Sequence, residues 1–140
     1  MQRIFIKGIV LLLVMLYTYT ACSKWFDFTR FKEAMLHQPL ADWIAWPLIY
    51  TLPVLELAIA LGLLSDRCRK AALLGSSCLL AVFTAYTAFI LLGGFNRIPC
   101  SCGAVISGMG WKAHLVFNTS FLILNAYGIA LLKKQGAYDQ

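Results

Sequence analysis

The chain has 140 residues, 61% of them hydrophobic and only 13% charged, with a mean hydropathy of +0.76. The length suits one domain, and a water-soluble one would need more charge than this to cover its surface. The net charge of +6 comes from basic residues in short groups between apolar runs; anionic lipid head groups fit that pattern better than nucleic acid, which calls for a basic stripe interleaved with stacking aromatics.

The first apolar run, Ile4 to Ala21, is long enough at 1.5 Å per residue to cross a hydrocarbon core of roughly 30 Å. Met1 to Cys22 also fits a cleaved signal, with Arg3 and Lys7 ahead of the run and Ala21-Cys22 resembling a lipoprotein junction. Tyr19 stands where such a signal carries Leu, however, and further spans follow, so a retained first helix is the expectation. Trp25 to Gln38 is too charged to cross. Its Trp25, Phe28, Phe31 and Met35 recur at helical spacing and predict an amphipathic helix along the outer interface, ended by Pro39.

The second span is expected from Trp46 to Leu64, with Pro47 at a helix start where proline is tolerated. Near its middle stands Glu56, one turn after Pro53, a proline expected to kink the helix and free a carbonyl. A bare carboxylate is costly there, so Glu56 should face the bundle interior and be neutral or hydrogen-bonded. Candidate partners are Asn118 and Asn125 on span four, Thr84 and Thr87 on span three, and Tyr17 on span one. Glu56 could relay protons, meet a quinone head group, or simply join helices through a hydrogen bond. Lys24 is expected to snorkel to the interface.

The third span is expected from Ala71 to Leu92 and the fourth from Leu115 to Leu132. The fold class is therefore all-α, a single antiparallel four-helix bundle in the membrane over residues 1–140, with an outer interfacial helix between spans one and two. With the N-terminus inside, Arg3, Lys7, Arg67, Arg69, Lys70, Lys133 and Lys134 are inner. Lys24, Arg30, Lys32, Arg97 and Lys112 are then outer. The inner set lies tight against span ends, where it counts most, which predicts both termini inside a bacterial inner membrane.

Between spans three and four lies Pro99-Cys100-Ser101-Cys102-Gly103, flanked by Gly93, Gly94, Gly108 and Gly110. A disulfide across a single residue closes a tight, strained ring and is easily reduced. The outer face of an inner membrane, the periplasm, is where disulfides form and persist. Pro99 fixes the backbone before the pair, and Gly103 lets a second backbone approach. Cys100 and Cys102 are thus candidate redox partners, with Cys22 on the same side as a candidate resolving thiol. Two alternatives stay open: a static link or free thiols, and a Cu(I) site of Cys100, Cys102, Met109 and His114. Cys68 belongs to the inner loop, and Cys78 is expected to be a small buried apolar residue. With only His37 and His114 as histidines, no structural zinc site is expected. No Gly-rich phosphate loop, catalytic Ser/His/Asp set or paired carboxylates appears, and no cofactor is expected beyond the quinone that Glu56 could meet.

The sequence resembles the MauE proteins, within the DoxX-like group of four-helix membrane proteins, over nearly the whole chain. Thr20 to Asp27 is similar to the family's small-residue, Lys, apolar, Asp segment. Pro53-Val54-Leu55-Glu56 with Gly62-Leu63-Leu64 is similar to its Glu-bearing second span. Cys100-Ser101-Cys102-Gly103 resembles its Cys-Gly-Cys-Phe-Gly motif, with Ser101 for Gly and no aromatic before Gly103. His114 to Asn125 is similar to the fourth span, though Asn118 stands where an Arg-Asn pair is the pattern. The resemblance implies a redox-associated role in methylamine utilisation: maturation of the disulfide-rich small subunit of methylamine dehydrogenase in the periplasm, alongside a thioredoxin-like partner. DoxX relatives in thiosulfate:quinone oxidoreduction keep a quinone-linked version open. The resulting expectation is thiol–disulfide exchange, and the alternative is a non-catalytic subunit that docks a redox partner.

Overall fold

The computed structural model describes residues 1–94 and 110–138. They form five helices: α1 (Gln2–Phe26), α2 (Phe28–Leu36), α3 (Asp42–Leu64), α4 (Arg69–Leu91) and α5 (Trp111–Tyr138). Four of them hold stretches long and apolar enough to cross a membrane, Arg3–Phe26, Asp42–Leu64, Arg69–Leu91 and Trp111–Lys134. The short α2 lies between the first two.

The four long helices pack as a ring in which α1 and α4 each touch α3 and α5. Ile6, Ile9, Leu13, Ile59, Leu63, Leu73, Leu80 and Leu131 meet inside it. Gly62 brings α3 against α4 so closely that a Cβ there would stand 3.0 Å from that of Ala72. Small residues at such crossings let membrane helices gain packing contacts that water does not drive. Apolar side chains on the other faces, such as Leu11, Met15, Val54, Leu61, Leu74, Val82, Val116 and Ile123, point away from the bundle, as a lipid-covered surface requires.

The helices extend beyond the apolar runs. α1 continues through Cys22 to Phe26, where Asp27 ends it and caps α2, its carboxylate accepting from the Arg30 N–H at 3.3 Å. The amphipathic helix is accordingly shorter than expected: Trp25 belongs to α1 and is exposed, while Phe31 and Ala34 are α2's buried residues. α3 begins at Asp42, so Pro47 and Pro53 both stand inside it rather than Pro47 at its start. Hydropathy marks the stretch that lipid can cover, whereas hydrogen bonding along the backbone sets where a helix stops.

α4 stops at a pair of glycines. Gly93 takes φ +77, its N–H bonds the Ile90 carbonyl at 3.1 Å, and the Gly94 N–H bonds the Phe89 carbonyl at 3.0 Å. That double bond pattern is a Schellman ending, which favours a residue without Cβ in the left-handed region. Up-and-down packing puts the ends of α1 and α4, the starts of α3 and α5, and α2 at one end of the bundle. The opposite end holds Arg3, Lys7, Asp66, Arg67, Lys70, Lys133 and Lys134. Exposed Trp25, Phe26, Trp43, Trp46 and Tyr50 gather at the α2 end, like the aromatic belt of a membrane interface.

Candidate functional site

Tyr17, Thr20, Ala21 and Lys24 follow one another on a single face of α1 at helical spacing, and the first three are buried. That face meets α3. Lys24 Nζ donates to both carboxylate oxygens of Glu56, at 2.8 and 2.9 Å, and lies 3.4 Å from the Thr20 carbonyl. The side chains are 11% and 3% exposed. This is an ion pair sealed inside the bundle, with each carboxylate oxygen bonded to the ammonium.

α2 forms the cover. The buried Phe31 packs with Ile49 and Leu52 of α3, and its ring centroid lies 5.7 Å from the Lys24 ammonium. Beside it, Lys32 stands 4.9 Å over the Trp46 ring, and Phe28 meets Tyr50 at 5.7 Å. Tyr86 of α4 donates to Gln38 at 2.7 Å, fastening the link between α2 and α3 to the fourth side of the bundle.

Lys24 was expected at the interface and Glu56 on Asn118, Asn125, Thr84, Thr87 or Tyr17; in the structure the acid takes the lysine. The cause is geometric: side chains on a helix lean toward its N-terminus, so the long stem of Lys24 reaches back into the bundle. Desolvation makes an unpartnered carboxylate the costlier outcome. Thr84 and Thr87 are bonded instead to the carbonyls of Leu80 and Phe83 within α4, each at 2.7 Å. The sequence carries part of the signal for the pair. Glu56 is an intramembrane acid, and Lys24 continues the Tyr17, Thr20, Ala21 face.

A second polar cluster lies deeper. The Tyr17 hydroxyl and the Ser76 hydroxyl are 2.8 Å apart. Asn125 Nδ2 stands 3.1 Å from the Leu73 carbonyl and 3.0 Å from the hydroxyls of Ser76 and Ser77. The cluster ties α1, α4 and α5 together across the bundle. Asn125 is fully buried, and its Oδ1 has no hydrogen-bond partner among the described residues. Asn118 is also buried.

Cys22 is an exposed free thiol near the end of α1, on the α2 end of the bundle. Cys68 is exposed at the basic end, between α3 and α4. Cys78 is exposed on the outer side of α4 rather than buried as expected. In a bundle surrounded by lipid a small apolar side chain is accommodated on either face, so its chemistry alone does not decide the side. Cys100, Cys102, Pro99, Gly103 and Met109 lie outside the described residues. The segment that carries them leaves the end of α4 at Gly94 and enters α5 after Gly110. Both anchor points are at the α2 end. His114 is half-buried in the first turn of α5, within electrostatic reach of Lys24.

The family model described as "Methylamine utilisation protein MauE" matches residues 2–131, almost the whole chain, from the start of α1 into α5 as far as Leu131. No curated protein and no solved structure matches.

Proposed function

The chain belongs to the MauE family, and from that premise we propose that it is a membrane thiol–disulfide exchange protein that supports maturation of a disulfide-containing client outside the inner membrane. The observation that carries this reading is the Cys100-Ser101-Cys102 sequence between α4 and α5, anchored at the end of the bundle opposite the basic one. Basic residues are retained on the cytoplasmic side. The cysteine segment then faces the periplasm, where disulfides persist.

In the oxidised form a client thiolate attacks the Cys100–Cys102 disulfide, forming a mixed disulfide and releasing one thiolate of the pair. A second client thiol then displaces this protein, so the client gains a disulfide and Cys100 and Cys102 become thiols. A thioredoxin-like partner in its disulfide form reoxidises the pair by the same two steps in reverse and leaves with the electrons. Cys22, exposed on the same end, is the candidate third thiol that resolves a stalled mixed disulfide. In the family's own setting the client is the methylamine dehydrogenase small subunit.

The test is maturation in cells. Cys100→Ser and Cys102→Ser variants that reach the membrane at normal levels should fail to mature the client. Full maturation by both would refute exchange and leave a docking role for the bundle.

A further inference from the structure

At the basic end the seam between α1 and α5 is open to the outside. A crevice of about 240 Å³ lies there, lined by Met1, Phe5, Tyr127, Ala130, Leu131 and Lys134. Leu131 is buried and forms its floor, while Phe5 and Tyr127 are more than half exposed and form its walls. One turn deeper the seam is shut, because Gly128 lies so close to Ile9 that a Cβ there would come within 3.1 Å.

Three features narrow what fits. The volume falls below the roughly 300 Å³ at which small-molecule pockets begin, so the crevice takes a segment of a longer molecule. Of its lining residues Phe5, Ala130 and Leu131 are apolar and Lys134 supplies a cation, while Arg3 and Lys133, close in sequence to lining residues, are exposed. From Lys134 to Tyr127 is seven helical residues, or roughly 10 Å along the axis, which spans the step from head group to acyl chain. Among the described residues the one acid at this end, Asp66, is already paired with Arg69.

We propose that the α1–α5 crevice holds one anionic phospholipid, its phosphate on Lys134 and the first part of one acyl chain along Phe5, Ala130 and Leu131. Charge complementarity at the rim selects the head group; the apolar walls hold the chain. The site is independent of the thiol chemistry at the other end.

The test is native mass spectrometry of the full chain, delipidated in mild detergent and titrated with phosphatidylglycerol or with phosphatidylcholine of the same acyl chains. One phosphatidylglycerol should be retained at least about tenfold more tightly than phosphatidylcholine. Lys134→Ala should erase that preference. Ala130→Trp, an outward position where the indole fills the crevice, should remove the bound lipid while leaving the unfolding temperature in place. Lys70→Ala, a basic residue of the same end on α4, should leave binding unchanged. Equal retention of the two lipids, retention by the Ala130→Trp protein, or an equal loss in the Lys70→Ala protein would overturn the site.

Discussion

The two ends of this bundle handle charge in opposite ways. At the basic end Arg3, Lys7, Arg67, Lys70, Lys133 and Lys134 stand exposed, and the ion pair of Asp66 with Arg69 has its acid 90% exposed. At the α2 end a lysine and a glutamate are drawn into the interior, joined to each other and covered by an aromatic ring. Exposed charge at a membrane surface orients a chain and is exchanged for water at little cost. Charge inside a bundle is tolerated only when each partner is satisfied, and it then fixes which helices meet. One end exposes its charges, and the other uses a buried pair to fix a defined arrangement of α1, α2 and α3 at the end where α4 stops and α5 starts.

The sharpest way to break this contrast is sidedness. An impermeant thiol reagent applied to intact cells after reduction should label Cys100 and Cys102 and leave Cys68 unlabelled. Labelling of Cys68 alone would invert the bundle and put Cys100 and Cys102 on the reducing, cytoplasmic side.

Next in size is the ion pair. Lys24→Met or Glu56→Leu alone strands one buried group and should destabilise the bundle by about 3–5 kcal/mol, read from unfolding in mild detergent. The double variant should recover most of that loss and come within about 1 kcal/mol of the parent. Independent losses that simply add in the double variant would show that the two side chains act separately.

Smaller effects belong to the neutral cluster. Asn125→Leu removes the bonds to Leu73, Ser76 and Ser77 together with the Oδ1 that has no partner among the described residues. Interhelical hydrogen bonds in membranes average about 0.6 kcal/mol and reach about 1.7, so a loss of about 1 kcal/mol is expected. Smallest is Asp66→Ala at the basic end, which breaks an exposed pair and should change stability by less than about 1 kcal/mol. A loss there as large as that of Glu56→Leu would erase the distinction between the ends.

Much of this architecture was legible in the sequence because lipid imposes a simple rule. Apolar runs of about 20 residues cross, and Arg and Lys stay beside their ends. The same rule hid the boundaries. Ser23 to Phe26 continue α1 although they are not an apolar run, and Asp42 opens α3 four residues before the hydropathy rises. It also hid which face Cys78 takes, since lipid and bundle interior are equally apolar. Within the site, Glu56 stood out as an acid in the wrong solvent, but its partner did not. Lys24 lies two residues from the end of α1, a position from which a lysine can reach either water or the bundle. Only the tertiary placement of α3 and of Phe31 decides between them.

The most direct test of the proposed exchange is redox trapping in intact cells, with mass spectrometric identification of every disulfide this chain forms. The prediction is a Cys100–Cys102 pair together with mixed disulfides from Cys100 or Cys102 to a thioredoxin-like protein or to the client, and none from Cys68. A chain whose Cys100 and Cys102 are never found in a mixed disulfide, while the client matures normally, would contradict it.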